Sequence, residues 1–361
     1  MTADLLVVGT GLIGTSLGLA LRGPARVLLT DADPATLAAA VARGAGEAWD
    51  GREAATTAVV CTPPGVVAPQ VARLQALAAS RTQTHVASVQ AQVQVELAAA
   101  GCALSTVCGS HHMAGRERSG PNAATAQLFA GRPWVLCPGP DTSATALRDV
   151  EDVVVAAGAT PVRLAPDEHV AAVALVSHLP QLAASALAAQ LPAGGRDAAA
   201  LAGPGLQDTT RIAGSDPALW RELLRLNAAN VAPLLAALAR DLTATAAALA
   251  RVADDRADTA ALDEVVEVLR RGVAGRALVP VKRGERDAAF VVVAVQVPDR
   301  PGQLAGLLVA AGEADVNVED VRVDHVPGRP RGVIELSVRA AARSALETAL
   351  RAGGWDVLSR G

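Results

Sequence analysis

The chain has 361 residues, is 51% hydrophobic and carries a formal net charge of -4. Its length exceeds what one hydrophobic core usually organises, which predicts two or three domains. Lys and Arg are scattered rather than clustered, so no basic face for nucleic acid is expected. The apolar stretches are interrupted before the roughly 18 uninterrupted residues of a membrane span, and the N-terminus lacks a signal-peptide pattern. These features favour a cytoplasmic protein that binds neither nucleic acid nor membrane.

The four cysteines do not have the spacing of a metal-binding motif. Cys61, Cys102, Cys108 and Cys137 form no C-x-x-C pair. A structural zinc site is therefore not expected, and we predict no metal. This cysteine usage also fits a reducing compartment.

The first 165 residues alternate short β-branched runs with helix-like segments. The strand candidates, in chain order, are LLVVG, ARVLLTD, AVVCTPP, THVASV, LSTVCGS, PWVLCPG and TPVRLAP. Such alternation predicts a mostly parallel, doubly wound sheet. Asp33 is placed to cap a helix that begins at Pro34 and ends before Gly44. We therefore expect a Rossmann-type α/β nucleotide domain over residues 1–165.

The first strand runs into a glycine-rich turn that is typical of dinucleotide binding. Gly9, Gly11 and Gly14 have G-x-G-x-x-G spacing, and Asp31 ends the next strand 31 − 11 = 20 residues after Gly11. Glycine lets a pyrophosphate approach the backbone, and the helix N-terminus offers free N–H groups. A carboxylate at Asp31 would accept the ribose hydroxyls and repel a 2′-phosphate, which favours NAD over NADP. Asp33 is a weaker candidate because it suits a helix cap.

Strand signals disappear after the nucleotide domain and return near the C-terminus. Residues 166–275 carry Leu and Ala at helical spacing, which predicts an all-α domain whose exposed apolar faces would form a homodimer. Residues 276–286 are short and basic and contain Gly and Pro, as in a linker. Residues 287–361 have the order strand, helix, strand, strand, helix, strand. That order predicts a ferredoxin-like α+β domain.

A dense group of chemically active side chains lies in CGSHHMAGRERSG, residues 108–120. The segment holds two of the six histidines, a Glu and two Arg at a predicted strand end. A lone histidine is more often a satisfied core or surface residue. This density favours a chemical site instead.

The same segment resembles the G-S-H-P-M-A-G-x-E-x-S-G stretch of the prephenate dehydrogenase family. The resemblance continues in family order through VVGTGLIGTSL, VVCTPP, VASVQ, VSHLPQ and GLQDTTRIAGSDPALW, over nearly the whole chain. It implies NAD-dependent oxidative decarboxylation of prephenate, or of arogenate, in tyrosine biosynthesis. The tail resembles an ACT domain, a family that binds a free amino acid near a turn such as residues 299–302.

The resemblance also implies roles for individual residues. His111 looks like the catalytic histidine that takes the proton of the ring hydroxyl, and Ser88 like the serine that orients it and contacts the nicotinamide. Arg211 resembles the arginine that grips the ring carboxylate, with Asp208 behind it. Further contacts with the substrate are expected from His178, Gln181 and Glu117. The cofactor should also contact Leu12, Ile13, Thr62 and Pro63. A tyrosine effector should contact Gly302 and Asn317.

Ordinary structural roles stand beside these interpretations. Ser88 could merely finish a strand, and Arg211 could form an exposed helix ion pair. Glu117 and His178 could serve at the surface or in packing.

Two positions depart from the family pattern. His112 stands where the family usually has proline, so the turn after His111 loses a rigid residue and gains an imidazole. Gln181 stands where some prephenate-specific members have histidine, which changes the charge beside the substrate side chain. The choice between prephenate and arogenate therefore stays open.

Two other functional classes compete with this interpretation. Other dehydrogenases with a Rossmann and a helical domain use a lysine at the hydride site, and no Lys occurs before Lys282. A non-catalytic amino-acid sensor would need neither the glycine turn nor Asp31, Ser88, His111 and Arg211. Their presence argues for an enzyme.

Overall fold

A computed structural model describes residues 5–115, 118–195, 200–279, 290–325 and 331–358. The chain divides into two compact units, Met1–Thr243 and Ala244–Gly361. Each unit is considered separately below.

The first unit begins with a five-stranded parallel sheet in the order β3-β2-β1-β4-β5. Its strands are β1 Leu5–Val8, β2 Val27–Thr30, β3 Glu47–Ala48, β4 Ala55–Val60 and β5 Ser80–His85. The intervening helices are α1 Leu12–Ala20, α2 Pro34–Ala42 and α3 Val67–Ala76. β1 is buried along its whole length between its two parallel neighbours, as its run of Leu and Val predicts. This order confirms the Rossmann-like nucleotide domain.

A second, three-stranded sheet continues the first one. After α4 Gln90–Ala99 come β6 Gly109–His112, β7 Pro133–Cys137, α5 Ala144–Ala156 and β8 Thr160–Arg163, and the sheet order is β6-β7-β8. β6 runs antiparallel to β7, whereas β7 and β8 are parallel. One isolated bridge, Gln83 to Val107, joins the two sheets. The predicted single, mostly parallel sheet is thus two sheets, one of them mixed.

Two predicted strands begin elsewhere than expected. β5 begins at Ser80, upstream of THVASV, because its polar side chains are buried and hydrogen-bonded: Gln83, for example, donates to the Ser80 carbonyl at 2.9 Å. The segment Leu104–Thr106 is a 3-10 turn, so the strand predicted from LSTVCGS starts only at Gly109.

Residues 166–277 are helical where they are described, as predicted. The segments are α6 Pro166–Val173, a π turn Ala174–His178, α7 Leu179–Ala188, a 3-10 turn Leu191–Gly194, α8 Pro204–Thr210, a 3-10 turn Arg211–Gly214, α9 Pro217–Asp254 and α10 Thr259–Ala277. α9 is kinked at Asn227, whose φ and ψ of -122° and 18° are not helical. The part of the predicted linker from residue 280 onward lies outside the described residues.

Two described helical stretches reach the length and apolarity of a membrane span. An 18-residue window of Pro166–Gly194 has a mean hydropathy of 1.6 with 33% of the window buried, and one of Trp220–Asp254 has 1.3 with 11% buried. The expectation of no such stretch considered uninterrupted apolar runs, which proline and polar residues break in the first stretch and charged residues break in the second. Length and composition alone do not separate a membrane span from a core or partner-covered helix of a soluble protein.

The described C-terminal strands form an antiparallel sheet in the order β10-β11-β9-β12. Its elements are β9 Phe290–Pro298, α11 Gln303–Glu313, β10 Val318–His325, β11 Arg331–Arg339, α12 Arg343–Ala352 and β12 Asp356–Leu358. Alternate residues of β11 are buried, so one face of the sheet packs on a core with the two helices. The predicted ferredoxin-like order is confirmed.

Candidate active site

The glycine turn after β1 forms a cradle that only small residues permit. Gly9 has a φ of +95°, and a Cβ there would lie 2.8 Å from the Cys61 carbonyl oxygen. A Cβ on Gly14 would lie 2.0 Å from the Gly9 carbonyl oxygen, so this glycine lets α1 pack against the turn. Around Gly11, the N-cap of α1, the space is open. The start of α1 therefore leaves open space beside its first amides, which suits a pyrophosphate.

Asp31 stands at the carboxyl end of β2, beside this turn. Its Oδ2 accepts hydrogen bonds from the Thr10 amide at 2.6 Å and the Thr10 hydroxyl at 2.9 Å. Asp33 instead caps α2 by accepting from the amides of Ala35 and Thr36, which confirms its predicted role. Asp31 is thus the acid next to the cradle.

Thr62 and Pro63 follow β4 on the other side of the glycine turn. A Cβ on Gly9 would lie 3.1 Å from Cγ2 of Thr62, so the two segments touch. The buried Thr62 hydroxyl has no hydrogen-bond partner among the described residues. An unsatisfied hydroxyl beside a glycine cradle fits a bound dinucleotide.

His111 lies on β6, where its backbone pairs with Val135 of β7. Its Nδ1 is 2.9 Å from Nε2 of the fully buried His169, which α6 contributes. Burial and the neighbouring histidines, first His112 and then His169, lower the pKa of His111 well below its usual value. His111 is therefore neutral at pH 7 and able to accept a proton.

Five of the six histidines gather around this strand: His85, His111, His112, His169 and His178. Burial lowers the pKa of His85 to about 3 and that of His169 to about 4. The cluster therefore carries no positive charge near neutral pH. It is a set of neutral donors and acceptors rather than a cationic pocket.

His112 takes over part of what proline does in the family turn. Its Nδ1 lies 2.6 Å from the Ala114 carbonyl, and since a carbonyl only accepts, Nδ1 carries the proton. The ring also packs on Phe129 and Trp134, at centroid distances of 5.7 and 5.6 Å. His112 thus fixes the turn through a hydrogen bond and aromatic packing. These contacts argue against a second catalytic role for His112.

The helical side of the site contains a π turn that ends at His178. Leu179 donates to the Ala174 carbonyl five residues earlier, and Pro180 follows directly. A proline ring would clash with the carbonyl four residues before it in a regular helix, which the wider turn relieves.

The tautomer of His178 follows from its hydrogen-bond partners. Oδ1 of Asn227 accepts from Asn230, so its Nδ2 donates to the Val170 carbonyl at 2.9 Å and to Nδ1 of His178 at 3.2 Å. His178 therefore holds its proton on Nε2. The non-helical backbone at Asn227 places this amide between α6 and the π turn.

A cleft of about 730 Å³ opens between the loop after β6 and the irregular helices. Arg211, from the 3-10 turn after α8, and Gln181, from α7, line it together with Trp220 and Gly115. Arg211 is exposed in the cleft and makes no hydrogen bond or ion pair with the described residues. Trp220 also contacts the ring of His178 edge-on at 5.6 Å. Among its described lining residues, the cleft thus offers one cation, an amide and an aromatic wall.

Two other predicted site residues, Ser88 and Asp208, make no hydrogen bond or ion pair with the residues that they were expected to position. Ser88 lies in the bend after β5, and its hydroxyl makes no hydrogen bond with a described residue, so His169 and not Ser88 holds Nδ1 of His111. Asp208 is exposed on α8 and forms no ion pair with Arg211. Glu117 lies outside the described residues.

Sequence reasoning missed three members of the site: His169, Trp220 and Asn227. The scarcity of histidine, with six in the chain, was the available signal for His169, since it lies nine residues before His178 in the same helical stretch. Nothing in the sequence distinguished Asn227 from an exposed helix residue.

Comparison with known proteins places both halves of this site in one family. Residues 17–163 match the prephenate dehydrogenase nucleotide-binding domain, and residues 165–270 match the prephenate dehydrogenase dimerization domain. The probable prephenate dehydrogenase NovF of Streptomyces niveus is 38% identical over 98% of this chain and 99% of its own length. The prephenate dehydrogenase of Bacillus subtilis is 25% identical over 94% and 93%.

Solved structures agree with these matches. A prephenate dehydrogenase from A. aeolicus, in complex with hydroxyphenyl propionate and NAD+, has 25% identity and a TM-score of 0.66, covering 76% of this chain and 98% of its own. A Synechocystis arogenate dehydrogenase has 27% identity and a TM-score of 0.61, with the same coverage. NAD is the cofactor that the glycine cradle and Asp31 fit. The chain belongs to the prephenate dehydrogenase family.

Proposed function

We propose that the chain catalyses the NAD-dependent oxidative decarboxylation of prephenate to 4-hydroxyphenylpyruvate, a step of tyrosine biosynthesis in the cytoplasm. The observation that carries the proposal is the neutral, hydrogen-bonded His111, with a cofactor cradle in the same domain and a cleft that contains a free guanidinium at Arg211. These are the three parts the reaction needs: a base, a hydride acceptor site and an anchor for a carboxylate.

In this proposal His111 takes the proton of the ring hydroxyl on its Nε2. Bound NAD accepts the hydride from the carbon that bears this hydroxyl. As the hydride departs, the hydroxyl becomes as acidic as a protonated ketone, so a weakly basic, buried imidazole suffices. Loss of the ring carboxylate as CO2 would then leave its electron pair in the ring, and the ring oxygen would regain its proton from His111. The ring becomes aromatic in this step, which drives the reaction. The protein contributes position and a preorganised environment.

Recognition of the substrate falls to the helical side of the cleft. Arg211 would pair with the ring carboxylate through its planar guanidinium, since its charge is kept at any pH of interest. His178 would donate from Nε2, because Asn227 occupies its Nδ1. Ser88 would contact the nicotinamide, Asp208 and Glu117 would support the pocket mouth, and Leu12 and Ile13 would contact the cofactor.

Gln181 favours arogenate as a second candidate substrate. It is buried in the cleft wall, where some family members carry histidine, and its only hydrogen bond with a described residue is to the Ser185 hydroxyl at 3.4 Å. A neutral amide suits a zwitterionic side chain as well as a keto acid. Arg211 is the one cation among the described lining residues, enough for one of prephenate's two carboxylates.

The test is direct. Purified protein with NAD is offered prephenate and arogenate separately, and NADH absorbance is followed. We expect turnover of prephenate, while exclusive turnover of arogenate would select the second candidate. Silence with both substrates would refute the enzyme proposal.

We also propose that the long helices form a homodimer. In α9 the exposed side chains Leu235, Leu242 and Leu249 recur every seven residues, and Leu242 is 62% exposed. In α10, Leu269 and Val273 are 64% and 74% exposed. Such apolar stripes need a cover, and a second copy supplies a matching one. Analytical ultracentrifugation should find two copies, and Leu242→Arg should shift the mass toward one.

Regulation by an amino acid is the last part of the proposal. We take residues 287–361 as an ACT-like domain, in which a pocket of about 390 Å³ lies at the turn Asp299–Gly302 before α11. Amides near Gly302 could donate hydrogen bonds to a carboxylate, while Asn317 donates to Glu319 and so orders the start of β10. Tyrosine should inhibit the enzyme, and Gly302→Asp should abolish inhibition while leaving catalysis. Calorimetry with tyrosine, phenylalanine and tryptophan decides, and no binding by any of them would leave the domain structural.

A further inference from the structure

A partly buried and a fully buried histidine join the two sides of the candidate site. His111 comes from β6 and His169 from α6, and Nδ1 of the first lies 2.9 Å from Nε2 of the second. Their rings meet edge-on, with centroids 5.0 Å apart and planes inclined by 79°. His169 has no exposed surface. It therefore does not contact solvent. Among the described residues, His111 is the one hydrogen-bond partner of its ring nitrogens.

We infer that His169 is a positioning residue that fixes the productive tautomer of His111, with the proton on Nδ1 and the lone pair on Nε2. The inference rests on the proposed function, in which Nε2 of His111 accepts the hydroxyl proton. Two neutral imidazoles in contact share a single proton between the facing nitrogens. When Nδ1 of His111 donates it to Nε2 of His169, the opposite nitrogen of His111 is free to act as base.

The alternative tautomer would disable the base. An isolated neutral histidine prefers its proton on Nε2, and in that form His111 could donate to the substrate hydroxyl but could not take its proton. An acceptor opposite Nδ1 reverses the preference, because only the tautomer with the proton on Nδ1 can donate a hydrogen bond to it. His169 offers that acceptor. Ser88, whose hydroxyl makes no described hydrogen bond, does not.

A neutral partner also suits the charge of the substrate. A carboxylate opposite Nδ1 would make His111 more basic, but it would place a negative charge near a substrate that carries carboxylates. Burial keeps the pKa of His169 at about 4, so it remains an uncharged acceptor at neutral pH. After proton transfer, His169 would still accept from Nδ1–H and stabilise the imidazolium of His111 without adding a charge of its own.

Three substitutions separate this role from packing. His169→Phe keeps a ring but removes both nitrogens. His169→Gln places an amide oxygen near the position of Nε2, whereas His169→Asn is too short and reaches only the position of Nδ1. We expect kcat to fall about 10 to 10²-fold in the Phe and Asn variants, with KM and NAD affinity nearly unchanged, and to recover at least in part in the Gln variant. The full-length enzyme is used throughout.

The tautomer itself is measured by nitrogen-15 NMR of the imidazole rings, which distinguishes protonated from unprotonated nitrogens. His111 should be protonated on Nδ1 in the wild type and in His169→Gln, and on Nε2 in His169→Phe. Unchanged His111 resonances and an unchanged kcat in the Phe variant would overturn the inference. If that variant does not fold, equal kcat in the Gln and Asn variants would do the same.

The spectra also keep the two proposals distinguishable. If the wild type turns over neither prephenate nor arogenate, the proposed function fails, while the tautomer of His111 and its dependence on residue 169 are still read from the protein without substrate. If the wild type is active but His111 keeps its tautomer in every variant, only the role of His169 fails.

Discussion

The two sides of the candidate site are built from different kinds of backbone. His111 sits on a short strand held in register by a neighbouring strand, within a sheet system whose core side chains are almost fully buried. Arg211 and His178 sit on a 3-10 turn and a π turn among short helices. Regular structure positions the proposed proton acceptor and the cofactor cradle, and irregular structure positions the proposed recognition groups. Catalysis and specificity can therefore be disturbed separately.

The largest effect should come from the strand side. His111→Asn removes the base, and we expect kcat to fall about 10² to 10⁴-fold while NAD affinity stays nearly intact. NADH absorbance and a NAD titration measure the two quantities. His112→Asn is the matched control and should do far less, because His112 only fixes the turn. Swapped effects would show that the catalytic histidine is the neighbouring one.

The helical side should respond in KM rather than in cofactor binding. Arg211→Ala should raise KM and cost about 3 kcal/mol in kcat/KM, the low end for truncating a charge pair, since the guanidinium is exposed in the cleft without substrate. Steady-state kinetics with each substrate measure the change. Arg148→Ala, an exposed arginine on α5, is the control. Identical kinetics in both variants would return Arg211 to an ordinary surface role.

Lowering the pH should destabilise the folded protein at the buried histidines, where the strand side and the helical side of the site meet. Burial lowers the pKa of His112 and His169 to about 4, below the usual value of 6.5. Between pH 4 and pH 6.5 the unfolded chain binds more protons than the folded one. The free energy of unfolding therefore keeps its full value above pH 6.5 and falls as the pH drops toward 4. Each histidine contributes up to about 1.4 kcal/mol per pH unit. Urea unfolding at pH 7.5, 6 and 5 measures this. His169→Gln should flatten the slope, and an unchanged slope would contradict the assignment.

The smallest predicted effect concerns the cofactor edge. Asp31→Ser with Ala32→Arg should shift the ratio of kcat/KM from NAD toward NADP roughly tenfold, because a charge-assisted hydrogen bond to a phosphate replaces a repelling carboxylate. Asp33→Ala, which removes the cap of α2, should lower stability by about 1 kcal/mol without changing cofactor preference. A shift in Asp33→Ala alone would mean that the wrong acid was assigned.

Patterned segments of the sequence predicted the fold well, and polar buried segments did not. The glycine turn, the Asp33 cap and the C-terminal βαββαβ order follow from local residue chemistry, and the structure has them. β5 was placed too late because its burial depends on hydrogen bonds between Gln83, Ser80 and Thr106, which no hydrophobic period reveals. The change of strand direction at β6 depends on its neighbours in space.

The candidate site divides in the same way. His111, Arg211 and Gln181 could be predicted because their motifs are continuous in sequence. His169 acts through a contact across 58 positions, and Asn227 through one across 49, so neither is visible in a local pattern. Long-range partners of a motif are the part that required coordinates.

The π turn before Pro180 has a consequence for how this helix tolerates change in length. A π turn holds one residue more than a regular turn, and each residue of an α-helix rotates its successors by about 100°. Deleting one residue within Ala174–His178 would therefore restore the regular α-helical pitch. The deletion would also rotate the helix on one side of the turn, so that either His178 or Gln181 would no longer point in its present direction. The helix would become more regular while the cleft lost a wall. Within this family, length variants at this turn are thus expected to change substrate preference before they change stability.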